Sequence, residues 1–435
     1  LSAPREELAF SLGVLAALWG RPLKEYEVTS RVGMNAGAVR VNDLRYYSEL
    51  KTAKDRFVVT PNNVTIDAYG QADLRTGPVV VAVPSSAASR WTILQIGDMF
   101  DEIVHNVGGY VGGQPGLYLL TGPDYHGSVP ATMTEIRVRT RVAAVAVRVI
   151  AKGEKDIAAA REVQRGFRVM PLAEFLRHGL GYANPRTDDT GYYPEFTPTA
   201  PEDLQLFEHI GYAMRLFLPG SADVDDAIVT ALRPIGLSVL GGFAWADLDA
   251  PTRAGLARAA VAAEDILEDA YASSADIVVG WRYTLADGRA GGDLALRAAL
   301  AKHVIGGNVA EQLLYPNTAV DADGATLSGA NRYELRLAAG TPPVSVLWNL
   351  ALYGADDLFV ENDFGRYSIG STTDGVKVGP DGEVTIVIQH DRPGDTSNWL
   401  PAPAGEFNLT MRLYGADTSV LDGSYRLPGV TRVCA

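Results

Sequence analysis

The sequence predicts an α+β multidomain fold, with two antiparallel β modules on either side of a helical segment. Three observations predict it. Residues 57–150 are a succession of short β-branched or aromatic runs, many separated by Gly and Pro. After Gly153 the composition turns to Ala, Glu and Arg at helical spacing. From Leu327 the chain returns to strand-like runs, the last of them alternating with a period of two. A chain of 435 residues is also too long for one ordinary core.

Residues 3–20 read as a helix that Gly20-Arg21-Pro22 stops. The strands expected next are Phe57 to Thr60, Pro78 to Val83, Arg90 to Ile96, Leu117 to Thr121, Thr134 to Thr140 and Ala143 to Ile150. Together they make an all-β module of sandwich or barrel kind. Helices follow over Glu154 to Val169, Pro201 to Leu216, Ala222 to Leu232, Pro251 to Ala272, Gly291 to His303 and Asn308 to Leu314. The closing module has strands at Arg332 to Leu337, Val344 to Tyr353, Val384 to His390 and Glu406 to Tyr414. In the last, Phe407, Leu409, Met411 and Leu413 share one face, and Asn408, Thr410, Arg412 and Tyr414 the other. The pentapeptide Leu352-Tyr-Gly-Ala-Asp356 recurs as Leu413-Tyr-Gly-Ala-Asp417, which suggests neighbouring strands ending in similar turns.

Charge and motif content exclude several function classes. A formal net charge of −14 opposes a phosphate backbone, so nucleic acid is not expected as a partner. The single cysteine, Cys434, allows no intrachain disulfide and no Cys-rich metal site. The six histidines form no HExxH or HxH pair. No GxSxG elbow is present, and the Gly-Gly pairs at 241, 291 and 306 are isolated rather than parts of phosphate loops. The apolar stretch Leu8 to Trp19 is too short for a membrane span and follows acidic residues, unlike a clean signal peptide. A soluble protein is expected, with the compartment left open between periplasmic or secreted and cytoplasmic. The start at Leu1 fits either removal of a leader or trimming.

The polar residues suited to chemistry fall in both β modules. Asn62 and Asn63 follow Pro61 and either cap a turn or offer amides to hydroxyl or carboxylate groups. Gln95, Asp98 and Glu102 lie where an apolar strand ends. If the chain turns helical there, Asp98 and Glu102 share a face, with His105 about one turn on. Asp98 follows the strand closely, where a carboxylate is costly unless paired. Arg366, beside Asn362 and Asp363, is a fork for a substrate or structural carboxylate. His390 sits between Gln389 and Asp391 and reads either as a base or as a packed histidine. Asn398 and Trp399 precede a Pro-rich turn, where the indole either stacks on a ligand or plugs the module. Gly108 to Gly113 reads as a soft loop or a broad hairpin turn.

The chain resembles the bacterial two-part proteins with an N-terminal DUF1254 domain and a C-terminal DUF1214 domain. The C-terminal likeness rests on Gly329-Ala-Asn-Arg-Tyr333, Trp348-Asn-Leu-Ala-Leu-Tyr353, Arg366-Tyr-Ser-Ile-Gly370, Ile388-Gln-His-Asp391 and Asn398-Trp-Leu-Pro-Ala-Pro403. The N-terminal likeness rests on Thr60-Pro-Asn-Asn63, Gly77-Pro-Val-Val80, Arg90, Leu94-Gln95, Asp98 and Thr121-Gly-Pro123. The resemblance implies two β-sandwich-like domains with a helical segment between them, the C-terminal one jelly-roll-like. The expected division is a helical lead-in at 1–50, the DUF1254-type domain at 51–152, a mainly helical segment at 153–318 and the DUF1214-type domain at 319–435. Three positions depart from the family pattern. Val64 stands where an Asp is common, Asp67 where an aromatic is common, and Gln71 at a Trp-like position.

The resulting expectation is an enzyme, a hydrolase or lyase, acting on a small polar organic or carbohydrate substrate by general acid/base chemistry. Asp98, His390 and Arg366 are its candidate catalytic residues, and Asn62, Asn63, Asp67, Gln95, Asn362, Gln389, Asn398 and Trp399 its candidate substrate contacts. No cofactor is required, and a divalent cation is compatible with the carboxylates and amides present. The alternatives are a non-catalytic carbohydrate- or small-ligand-binding protein and a structural protein that forms homo-oligomers through its helices.

Overall fold

The computed structural model describes residues 2–56, 59–108 and 114–433. Phe57, Val58, most of the Gly108 to Gly113 loop and Cys434 lie outside them. The architecture is α+β, with two sandwich-like pairs of sheets and a set of packed helices.

The N-terminal sandwich pairs a six-stranded with a four-stranded sheet. Thr65–Asp73, Val142–Ile150 and Thr92–Gly97 lie side by side in the first, and Asp67 faces Arg148 in the register of the first two. Val79–Val83 and Gly116–Thr121 form the middle of the second. Alternate residues Ile66, Ala68, Leu94, Ile96, Val145 and Val147 meet Val79 and Val81 in the core between the sheets. The C-terminal sandwich has seven strands in one sheet and four in the other. Val344–Gly354 pairs with Phe407–Ala416, so the two copies of the repeated pentapeptide end neighbouring antiparallel strands. Phe407, Leu409, Met411 and Leu413 all point into the core, as their alternation requires. Among the described residues pairing is antiparallel with three exceptions: Arg40–Val41 on Thr65–Asp73, Gly116–Thr121 on Met133–Arg137, and Val384–Gln389 on Trp399–Pro401.

Both sandwiches reach past the expected limits. Arg40–Val41 and Arg45–Tyr46 join the first, and so does Arg168–Pro171, which pairs with Val79–Val83. Asp276–Val278, Trp281–Tyr283, Leu313–Leu314 and Asn317–Thr318 join the second. Strands of two to four residues are too short to leave a period of two in the sequence. For the same reason Asn308 to Leu314, expected to be helical, is instead a turn followed by a strand that pairs with Leu413 and Tyr414.

The first helix does not stop at Gly20-Arg21-Pro22. It runs from Ser2 to Asn35 with Pro22 inside it. Tertiary packing overrides the local signal. The helix lies against Gln205–Phe217, Ala250–Ser273 and Leu294–His303. A Cβ at Gly20 would come within 2.4 Å of Ile210 Cγ2, so the glycine serves close helix approach rather than termination. Arg21 bridges to Glu25 at 2.5 Å and Glu264 at 2.8 Å, tying the turn around Pro22 to the helix Ala250–Ser273. The expected helix Ala222 to Leu232 is split at Asp226, whose carboxylate accepts from Ile228 N and Val229 N as an N-cap. Among the described residues no helix is long and apolar enough to cross a membrane.

Candidate functional site

The strand alternation that fills the N-terminal core also forces a second set of side chains off the opposite face of the six-stranded sheet. Asp67, Tyr69, Gln95 and Arg148 belong to that set. The polar face of Phe407–Ala416 supplies Asn408, Thr410 and Arg412 from the other sandwich. Between them lies a cleft of about 450 Å³, closed by Thr60 to Asn62 and by the end of helix Leu294–His303 with Gly306.

Asp67 is 2% exposed. Lys51 Nζ donates to its Oδ2 at 3.1 Å and Tyr69 OH at 2.7 Å, while Thr65 Oγ1 donates to Oδ1 at 2.8 Å. Burial alone raises the Asp67 pKa, but Lys51, Arg148 and the hydroxyl donors bring it below its usual value. Burial and the Asp67 charge push the Tyr69 phenol upward. The carboxylate is therefore charged and Tyr69 neutral at neutral pH, and Lys51 is already paired.

The two arginines are placed differently. Arg148 Nη1 donates to Gln95 Oε1 at 2.6 Å, and Gln95 Nε2 donates to Gly306 O at 3.0 Å. Arg412, 2% exposed, donates through Nη2 to Thr60 O at 2.7 Å and Pro61 O at 3.3 Å. Its Nε and Nη1 are buried with no hydrogen-bond partner among the described residues. Neither arginine has a carboxylate within ion-pair distance among those residues. Burial opposes both charges, yet neighbouring tyrosines, joined at Arg148 by Asp67, hold both groups above their ordinary pKa. Thr60, whose carbonyl Arg412 holds, has φ +45°, a costly conformation for a β-branched residue.

Behind the Gly306 side of the cleft lie two buried acids. Asp101 Oδ1 accepts from Tyr26 OH and Gly306 N, each at 2.9 Å. Burial pushes its pKa up to about 7, against the lowering effect of those two donors. Burial and the Asp101 charge likewise push Asp287 up to about 7, and its Oδ1 has no hydrogen-bond partner among the described residues. Among the described residues no group of three or more His, Cys, Asp or Glu side chains is arranged to hold a metal ion.

Of the residues singled out in the sequence, Asn62 and Asp67 line the cleft, and Gln95 braces its wall. Asn62 Nδ2 donates to Tyr414 OH at 2.6 Å and its Oδ1 caps Val64 N. Asn63 joins the two sandwiches by accepting from Ser368 Oγ at 2.8 Å. Asp98 lies in a hairpin turn, not a helix: its Oδ1 accepts from Phe100 N and Glu102 N, and its Oδ2 takes Arg139 Nε. Left-handed Asp101, φ +63°, completes that turn, and His105 sits on the strand Ile103–Gly108 that follows. Gln389, His390, Asn398 and Trp399 lie on or beside the edge strand Trp399–Pro401 and its neighbour, in the sheet across the C-terminal core from the cleft. Asn362 and Arg366 lie in the loop before Ser368–Gly370, from which Arg366 reaches Trp399 O; none of the six lines the cleft. The structure thus does not bring Asp98, His390 and Arg366 to one point.

Sequence reasoning missed Lys51, Tyr69, Arg148, Arg412 and Gly306. A signal existed for Arg148: it is the lone charge in the apolar run Val142–Ile150, at a position that alternates away from the core. Arg412 carries the same mark in Phe407–Ala416.

The family described as "Protein of unknown function (DUF1254)" matches residues 41–171, and that described as "Protein of unknown function (DUF1214)" matches residues 312–418. The first match takes in Val41 and Arg45–Tyr46 at one end of the N-terminal sandwich and Arg168–Pro171 at the other. Among solved structures, the VPA0106 protein from Vibrio parahaemolyticus aligns with a TM-score of 0.74 at 22% identity, over 98% of this chain and 100% of that one. The likeness shows a shared fold. An uncharacterized protein from Burkholderia cenocepacia aligns over 99% of this chain and 95% of that one, at 11% identity and a TM-score of 0.44. No curated protein matches. With both domains present, one in each sandwich and in the expected order, the chain belongs to the DUF1254/DUF1214 domain-containing protein family.

Proposed function

We propose that the chain binds a small polar organic molecule in the cleft between its two sandwiches. The observation that carries this reading is the convergence of Lys51, Tyr69, Arg148 and Arg412, from separate segments of both domains, on one cleft of about 450 Å³. Ligand sites of roughly 300–1,000 Å³ with a few convergent polar groups are the usual form of a small-molecule pocket. The protonation states favour binding over catalysis. Asp67 is held below its usual pKa and Tyr69 above its own, so neither is tuned to exchange a proton near neutral pH.

A hydrolase or lyase acting on the same molecule is the second reading. His303 favours it: the imidazole lies on the cleft wall, stacked on Tyr271 at 4.2 Å, with Glu268 Oε1 at 3.2 Å from Nε2. Calorimetry with a panel of sugars and small organic acids, followed by chromatography after long incubation, separates the readings. Saturable binding with unchanged ligand is expected. Product formation that Asp67→Asn or His303→Gln abolishes would replace binding with catalysis. A flat titration across the panel counts against both.

A further inference from the structure

Resting on the cleft reading, we infer that the ligand is a small organic acid whose carboxylate docks between Arg412 and Arg148. The argument begins with the charges of the cleft wall. Lys51 is spent on Asp67. Lys302 is spent on Glu264 and Glu268, and His303 on Glu268. Asp357, at the rim, takes Asn408 Nδ2 at 2.8 Å through Oδ1. Arg148 and Arg412 are left as cations that line the cleft with no carboxylate within ion-pair distance among the described residues, Asp67 acting on Arg148 only from further away. This happens in a chain with 52 acidic and 38 basic residues, where an arginine has ample choice of acids.

A buried guanidinium with open donors is costly, because each N–H removed from water needs an acceptor. Arg412, a lining residue of the cleft, donates through Nη2 to the Thr60 and Pro61 carbonyls, with the Tyr353 hydroxyl beside the group, while its buried Nε and Nη1 make no well-aligned hydrogen bond among the described residues. Tyr353 is a neutral neighbour rather than a competing acid: burial holds its phenol above its ordinary pKa, and its hydroxyl, which donates to Pro61 O at 2.8 Å, also lies close enough to the guanidinium to favour its charge. Gln95 holds Arg148 by one nitrogen and is itself anchored on Gly306 O, which fixes where that second cation stands. Planar guanidinium groups match a carboxylate's two oxygens better than a point charge does. Asn62, Asn408 and Thr410 on the same wall suit hydroxyl groups on the rest of the molecule.

The test compares acids with their neutral counterparts by calorimetry: D-glucuronate against D-glucose, succinate against succinamide, and benzoate against benzamide, with inorganic phosphate as a separate arm. At least one acid is expected to bind about tenfold or more tighter than its neutral partner. Arg148→Gln and Arg412→Lys should each weaken binding of the acid by more than that of its neutral partner, and so narrow that preference. Thermal unfolding of each variant checks folding, and Arg148→Gln carries the test if Arg412→Lys fails to fold. Equal or tighter binding of the neutral partners overturns the carboxylate inference and leaves the cleft reading standing. Binding of phosphate alone overturns the carboxylate class. Binding of no probe overturns both.

Discussion

Around the edge strand Trp399–Pro401, amides, charges and aromatics are turned inward on their own backbone. Arg366 Nη1 donates to the carbonyls of Thr396 at 2.7 Å, Ser397 at 3.2 Å and Trp399 at 2.8 Å. Asn398 receives Lys377 N and donates to Lys377 O and Thr385 O. Trp399 Nε1 donates to Gln389 O, and His390 Nδ1 meets Ala402 O. Along Phe407–Ala416, by contrast, Asn408, Thr410 and Arg412 are carried on a regular strand, which already satisfies the backbone in its ladder. Their side chains face the cleft. The difference teaches that polar density alone does not mark a site. In irregular loops polar side chains complete backbone hydrogen bonding. On this strand face they serve other segments, Arg412 the Thr60 and Pro61 carbonyls and Asn408 that of Gly354, while lining the cleft.

That comparison can be broken. Arg366→Ala should destabilise the fold by about 3 kcal/mol, since a charged donor to three carbonyls is removed. Ligand affinity in the cleft should stay the same. Denaturant unfolding with a parallel titration decides it, and a loss of affinity without a loss of stability would return Arg366 to the binding machinery.

A pH series sharpens the cleft side. Asp101 and Asp287 have folded pKa values of about 7, above the ordinary aspartate value. Between about pH 4 and pH 7 the folded state holds protons that the unfolded state has lost, so their contribution is full below about pH 4 and falls as pH rises to about 7. Asp287→Asn should flatten that slope and make the protein about 2 kcal/mol more stable than wild type at pH 8. Unfolding curves at pH 4, 6 and 8 measure it, and parallel pH dependences in the two proteins would refute the assignment.

Asn398→Ala should cost about 1.5 kcal/mol through the carbonyls of Lys377 and Thr385 that lose their donor. Binding should not change, as read by the same titration. The smallest stability effect is expected from Arg148→Gln, within about 1 kcal/mol, because it removes a part-buried charge that makes one side-chain hydrogen bond. Here the change belongs in affinity instead. A drop well beyond that in unfolding free energy would make Arg148 a structural residue.

How much of this was legible depends on how far each signal reaches along the chain. Alternation in Phe407 to Tyr414 placed Leu409 and Met411 in the core and Arg412 opposite them, because a period of two is local. Nothing local says that the opposite face meets the N-terminal sheet rather than water. Asp67 was visible only as a departure from the family pattern, and its partner Lys51 lies 16 positions earlier, before the residues at 57 and 58. Asp98 was expected on a helix face because its spacing to Glu102 fits one. A hairpin turn with a left-handed residue at Asp101 uses the same spacing for a different purpose. The stop expected at Pro22 failed for a related reason: three neighbouring helices outweigh one missing backbone donor.

One residue records several of these relations at once. The Gly306 amide donates to Asp101, which also takes Tyr26 from the first helix, while the Gly306 carbonyl receives Gln95, which holds Arg148. Hydrogen–deuterium exchange at that single N–H should therefore report on both ends of the chain of contacts. Exchange should slow when an acid is bound at Arg148 and quicken in Tyr26→Phe, giving the cleft an isotopic readout that needs no attached label and no knowledge of the natural ligand.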